Sequence, residues 1–149
     1  MFDREKEVTR GPDRPGSVSW LAVGVLVLAA GNVIRFFTGL SRYSFLKELG
    51  LSAPPAYLIA GGGFWGLAGL GLAAGLWWGV PRAAPLTLAA ALLYSFQFWF
   101  DRLVLATSST ANLNWPFAAV MNVLALAMIW FILSRPGARR YFGCGSSNA

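Results

Sequence analysis

The 149-residue sequence contains no histidine and a single cysteine, Cys144. Without histidine the chain lacks the commonest general base, the usual haem ligand and most zinc arrangements. One thiol can form neither an intrachain disulfide nor a thiolate cluster. Only two of the six acidic residues, Glu48 and Asp101, lie beyond the first thirteen positions. These absences predict no catalytic residue, no metal site and no cofactor, and we do not expect an enzyme.

Charged residues are also scarce, and long apolar runs make up most of the chain. Charged residues make up 12% of the chain and hydrophobic residues 56%, whereas a soluble domain carries about 25% charged residues. Four apolar runs occupy residues 20–37, 55–78, 86–106 and 115–133. Each is close to the ~17–25 residues that cross a ~30 Å hydrocarbon layer as a helix. The sequence therefore predicts an all-α integral membrane protein, a four-helix bundle.

The remaining segments are short. Residues 1–19 are expected to form an N-terminal segment, residues 20–134 the transmembrane domain, and residues 135–149 a basic and then disordered tail. The first loop, Gly39–Ser52, alternates apolar with charged residues at a spacing that suits a short amphipathic helix at the membrane interface.

The net charge of +6 is distributed like that of a membrane protein. Eight Lys or Arg residues lie in the N-terminal segment, the second connection and the tail, against four on the opposite side. Because basic loops stay in the cytoplasm, we expect a multi-pass protein of the inner (plasma) membrane with both termini cytoplasmic. The charge is thus assigned to membrane lipids and not to nucleic acid.

Aromatic and basic residues near the ends of the runs predict surface anchors, because amphipathic rings and arginines favour the headgroup level. The anchors expected from this pattern are Trp20, Trp77, Trp78, Trp115, Trp130, Arg135, Arg139 and Arg140.

Glycines recur every four residues in the second run, and such spacing lets another helix approach closely. The residues concerned are Gly62, Gly66, Gly71, Gly75 and Gly79. Two interpretations stay open, namely packing inside the bundle or an interface between subunits.

Polar residues inside the runs are costly in hydrocarbon and normally face the bundle interior. The candidates are Asn32, Arg35, Gln97, Asp101, Arg102 and Asn122. We expect Arg35 or Arg102 to pair with Asp101, and the three amides to bond below this pair. Such a cluster is either a structural pin between helices or a solute or ion path that opens to the outside.

Three functions are compatible with these patterns. The first is a structural or accessory subunit that associates with itself or with other membrane subunits. The second is an oligomeric transporter or channel for a small solute or ion. The third is a subunit that binds a lipid, quinone or pigment without imidazole ligands.

Overall fold

The chain is an all-α membrane four-helix bundle, as predicted. The computed structural model describes residues 14–49, 54–105 and 114–143, and this part of the chain contains helices and turns but no strand. The helices are α1 (Gly16–Ser41), α2 (Tyr43–Glu48), α3 (Pro55–Trp77), α4 (Ala83–Phe100), a π-helical turn that continues α4 (Asp101–Leu105), α5 (Trp115–Ser134) and α6 (Pro136–Tyr141). Four of them, α1, α3, α5 and α4 extended to Val104, are long and apolar enough to cross a membrane.

Helices α1 and α4 begin before the apolar runs that predict them. α1 covers residues 16–41 where the run covers 20–37, and α4 begins at Ala83 and not at residue 86. At the start of α1, Pro15 is extended and its carbonyl accepts the Val18 N–H at 3.0 Å. At the start of α4, Pro85 is tolerated because the first helical turn has no carbonyl partner for its missing N–H. An apolar run shows which residues lie in hydrocarbon, whereas the backbone conformation sets where the helix begins and ends.

The closest helix pair is α1 with α3, and glycine makes it possible. Three contacts run along the pair: Gly62 against Phe36, Gly66 against Val33, and Gly69 against Ala29. The residue numbers of the contacts fall along α1 as they rise along α3, so the helices are antiparallel. A methyl group built on Gly62 would stand 3.1 Å from both the Asn32 carbonyl oxygen and the Phe36 nitrogen. The backbones therefore approach as closely as small residues allow in membranes.

One end of the bundle, here called the core end, has a continuous buried core. It is formed where α1 begins, α3 ends, α4 begins, α5 ends and α6 follows. Its buried side chains are Val18, Leu21, Ala22, Leu76, Ala83, Ala138 and Phe142. The opposite end, here called the polar end, carries Asp101 in the π-helical turn.

The predicted tail contains a helix. α6 starts directly after Arg135, with Pro136 in its first turn. Ala138 and the following Phe142 are each only 1% exposed in the core end, and the Tyr141 hydroxyl donates to the Trp77 carbonyl at 2.8 Å. The segment is thus fixed across the turn between α3 and α4. Residues 144–149, predicted to be disordered, lie outside the described residues.

Candidate functional site

A chain of hydrogen bonds joins α3 to α4 at the polar end. The Trp65 indole N–H donates to Gln97 Oε1. Gln97 Nε2 donates to the Tyr57 hydroxyl at 3.3 Å, and this hydroxyl donates to Asp101 Oδ1 at 2.5 Å. Every donor in the chain points toward the carboxylate, so the polarised bonds support one another and stabilise its negative charge.

Helical spacing places these four side chains on facing stripes. Tyr57 and Trp65 are two turns apart on α3, and Gln97 and Asp101 are one turn apart across the junction of α4 with its π-helical turn. The Trp65 ring also meets the Tyr94 ring edge-on, with centroids 5.1 Å apart. The arrangement fixes the rotation of α3 against α4 through hydrogen bonds and a ring contact.

A small cavity of about 50 Å³ lies beside the chain of bonds. At roughly 30 Å³ per molecule it has room for one or two waters. Its lining brings α1 into the site and consists of Asn32, Arg35, Tyr57, Leu58, Gly61, Trp65, Tyr94, Gln97, Phe98 and Asp101.

The prediction that Arg35 or Arg102 pairs with Asp101 is wrong for Arg35. Within the described residues the Asp101 carboxylate accepts its hydrogen bond from Tyr57, and no ion pair joins it to Arg35. Arg35 lines the same cavity and is exposed. Arg102, the other predicted partner, follows Asp101 in the π-helical turn and is half-buried.

The structure separates the three predicted amides. Gln97 belongs to the chain of bonds. Asn32 is buried, and its Nδ2 donates at 2.9 Å to the Leu28 carbonyl of its own helix and not to Asp101 or Gln97. Asn122 lines a different space, the central cleft. The prediction that all three amides bond together below Asp101 is therefore wrong for Asn32 and Asn122.

Tyr57 and Trp65 are the site residues that sequence reasoning missed. Both belong to α3, where Tyr57 reads as an interfacial ring and Trp65 as an apolar space filler. The sequence did contain a signal for Trp65, since a tryptophan in the middle of an apolar helix still needs a hydrogen-bond acceptor for its indole N–H.

The central cleft is a second interior space, of about 290 Å³, bounded by all four spans. It shares Asn32, Trp65 and Tyr94 with the small cavity, so these three side chains separate the two. The rest of its lining is Val25, Leu28, Ala29, Gly69, Leu72, Thr87, Ala90, Ala91, Ser95, Asn122, Ala125, Leu126 and Ile129. Among the described residues no charged side chain lines it.

The five glycines predicted to act as one packing set have different surroundings. Gly62 and Gly66 face α1, and Gly75 faces Ala83 at 3.3 Å from an added methyl. Gly79 lies beyond α3, in the turn, where its φ of +69° and the adjacent Tyr141 ring admit only glycine. Gly71 has nothing within 4 Å of an added methyl.

Gly71 lies in an open groove of about 600 Å³ between α3 and α4, here called the small-residue groove. Its small lining residues are Ala68, Gly71, Ala74, Gly75, Ala83, Ala89 and Ala90. Its larger ones are Phe64, Trp65, Leu72, Trp78, Val80, Leu86 and Leu93.

The predicted anchors lie near the ends of the spans. All five tryptophans are exposed, from 49% at Trp77 to 77% at Trp20. Arg14 stands 3.7 Å above the Trp77 ring and Arg135 stands 4.6 Å from the Phe131 ring, both in cation–π contact. Arg139 and Arg140 are exposed in the last turn of α6.

Metal ligands do not gather in the described part of the chain, where no three His, Cys, Asp or Glu residues come together. Comparison with known proteins adds no assignment: no family model, curated protein or solved structure matches this sequence.

Proposed function

We propose that the chain is a structural or accessory membrane subunit that associates through the small-residue groove with a helix of another membrane subunit, in the simplest case a second copy. The chain then has no catalytic step and no cofactor. The Tyr57–Asp101 bond serves in this proposal as a pin that holds α3 and α4, the two walls of the groove, in register.

The open space at Gly71 is the main support for this proposal. α3 carries two stripes of small residues, and the stripe of Gly62, Gly66 and Gly69 is filled by a helix, α1. The second stripe, Ala68, Gly71 and Gly75, also has steps of three and four residues but lines the groove. Small residues favour helix contact in lipid because backbones can approach and dispersion contacts add up. The open part of this stripe, at Gly71, leaves room for another helix.

α5 offers a complement in a second copy. No residue of α5 is buried, and large side chains such as Val120, Leu124 and Phe131 are more than half exposed. A contact of α5 with the groove of a neighbour would join two different surfaces, so repeated association would form a ring where the rotation closes and an open row where it does not.

Gly71→Leu is the direct test, because an added methyl there meets nothing within 4 Å in the described residues and the rest of the leucine side chain would occupy the groove. We expect association in liposomes, measured by energy transfer between labelled protomers, to weaken at least tenfold. The matched control is Gly24→Leu on α1, where an added methyl also meets nothing within 4 Å, and it should associate like the wild type. Equal association of the two variants would refute the proposal. A wild type that stays monomeric in liposomes and binds no other membrane subunit through the groove would refute it as well.

The proposal also places the core end in the cytoplasm. Arg14, Arg82, Arg135, Arg139 and Arg140 belong to core-end segments, against Arg35, Arg42, Lys47 and Arg102 at the polar end. The excess of basic residues supports this orientation under the positive-inside rule.

Cys144 provides a test of orientation, since it is the sole thiol. A membrane-impermeant maleimide should label it in inverted vesicles and leave it unlabelled in intact cells. Labelling of Cys144 in intact cells at the rate expected for inverted vesicles would show that the orientation is the reverse of the one proposed.

A further inference from the structure

We propose that the central cleft binds a neutral single-chain amphiphile from the bilayer, with about ten carbons and one hydroxyl or carbonyl group. This goes beyond the association proposed above, because it concerns an interior space and a different kind of occupant.

The polar atoms of the cleft are the first support. Thr87 and Asn32 bond to carbonyls of their own helices, at 2.7 and 2.9 Å. Tyr94, Ser95 and Asn122 also line the cleft, but within the described residues no hydrogen bond reaches their side chains. An amide or hydroxyl without a partner in an apolar medium costs on the order of several kcal/mol. An occupant that donates and accepts one hydrogen bond removes this cost.

The lining also defines the charge of the occupant. Arg35 and Asp101 lie in the neighbouring small cavity, behind Asn32, Trp65 and Tyr94. A charged head group in the cleft would therefore meet no countercharge, and its desolvation would oppose binding. The polar group has to be neutral, and the apolar remainder of the lining suits a hydrocarbon chain.

Volume and access agree with a small chain taken from the membrane. The cleft measures about 290 Å³, near the lower end of the ~300–1,000 Å³ of small-molecule sites. At roughly 30 Å³ per heavy atom, the liquid volume of one water, this space holds about ten atoms. One wall is α5, which has no buried residue, so entry from the bilayer requires the separation of few contacts.

The test uses decan-1-ol with a diazirine near its methyl end as the photoprobe, in liposomes that contain the full chain. We expect saturable labelling at cleft residues such as Leu28 and Leu126. Unlabelled decan-1-ol should compete at least tenfold better than decane or decanoate at equal concentration in the membrane.

Two variants of α5 and a matched control separate the cleft from general lipid contact. Ala125→Leu narrows the cleft and should reduce labelling at least fivefold, whereas Ala127→Leu, a residue of the same helix that does not line the cleft, should label like the wild type. Asn122→Leu removes the amide and should weaken binding about threefold, as expected for one average hydrogen bond in a membrane.

Labelling that does not saturate, or equal labelling of the Ala125→Leu and Ala127→Leu variants, would show that the cleft holds only water or passing lipid and would overturn the inference. Equal competition by decane and decan-1-ol would overturn the role of the polar group. Neither Ala125 nor Asn122 lines the small-residue groove, so these outcomes leave the association proposal to its own test.

Discussion

Replacement of Gly62 by leucine is expected to lower the free energy of unfolding by about 3 kcal/mol, at the upper end of the cost of overpacked cores. The reason is the nature of the neighbours. A methyl on Gly62 already stands 3.1 Å from two backbone atoms of α1, the Asn32 oxygen and the Phe36 nitrogen. Backbone cannot rotate away as a side chain can, so α1 and α3 have to separate along their length.

The measurement is unfolding of the monomeric protein in mild detergent by increasing fractions of SDS. Gly24→Leu is the control, because it adds the same side chain to a membrane helix in open space, and we expect a change within about 0.5 kcal/mol, as for ordinary surface substitutions. If Gly62→Leu were as stable as Gly24→Leu, α1 and α3 would not be in contact at this position.

Tyr57→Phe is expected to destabilise the protein by about 2 kcal/mol, because it leaves a half-buried carboxylate without its donor. The bond to Asp101 is charge-assisted and short, and such bonds exceed the ~0.6 kcal/mol average of membrane hydrogen bonds. Tyr43→Phe is the matched control, since Tyr43 is exposed on α2 and no described residue bonds to its hydroxyl.

A double-mutant cycle assigns the loss to this pair of side chains. Combination of Tyr57→Phe with Asp101→Asn should give a coupling free energy of about 1 kcal/mol or more between the two positions. Additive effects of the two substitutions would mean that Tyr57 stabilises the bundle by its ring alone.

The spans could be predicted because hydrocarbon leaves few choices. Backbone groups in lipid have to bond within the segment, so each long apolar run becomes a helix. The partner of Asp101 could not be predicted in the same way. The nearest donor depends on how α3 is rotated against α4 and on which side chains can extend into water. These two conditions hold Tyr57 beside Asp101, but they do not hold Arg35 there.

The glycines of α3 show a second limit of the sequence. Gly62 and Gly71 have the same chemistry and similar spacing, yet one faces α1 and the other faces an open groove. Spacing indicates that a helix can approach but not which stripe is filled. α6 was missed for a related reason. Pro136, Gly137 and two arginines look like a tail, although Ala138, Tyr141 and Phe142 connect the segment to the core.

The position of Phe142 has a consequence for the order of assembly. Val18 and Phe142 belong to one buried cluster, although 124 positions separate them in the sequence. Closure of so long a loop can occur only after every span has entered the bilayer, and contacts between distant segments form late. Chains that end before this segment would lack Ala138 and Phe142, and the cluster around Val18 and Leu76 would lose part of its cover.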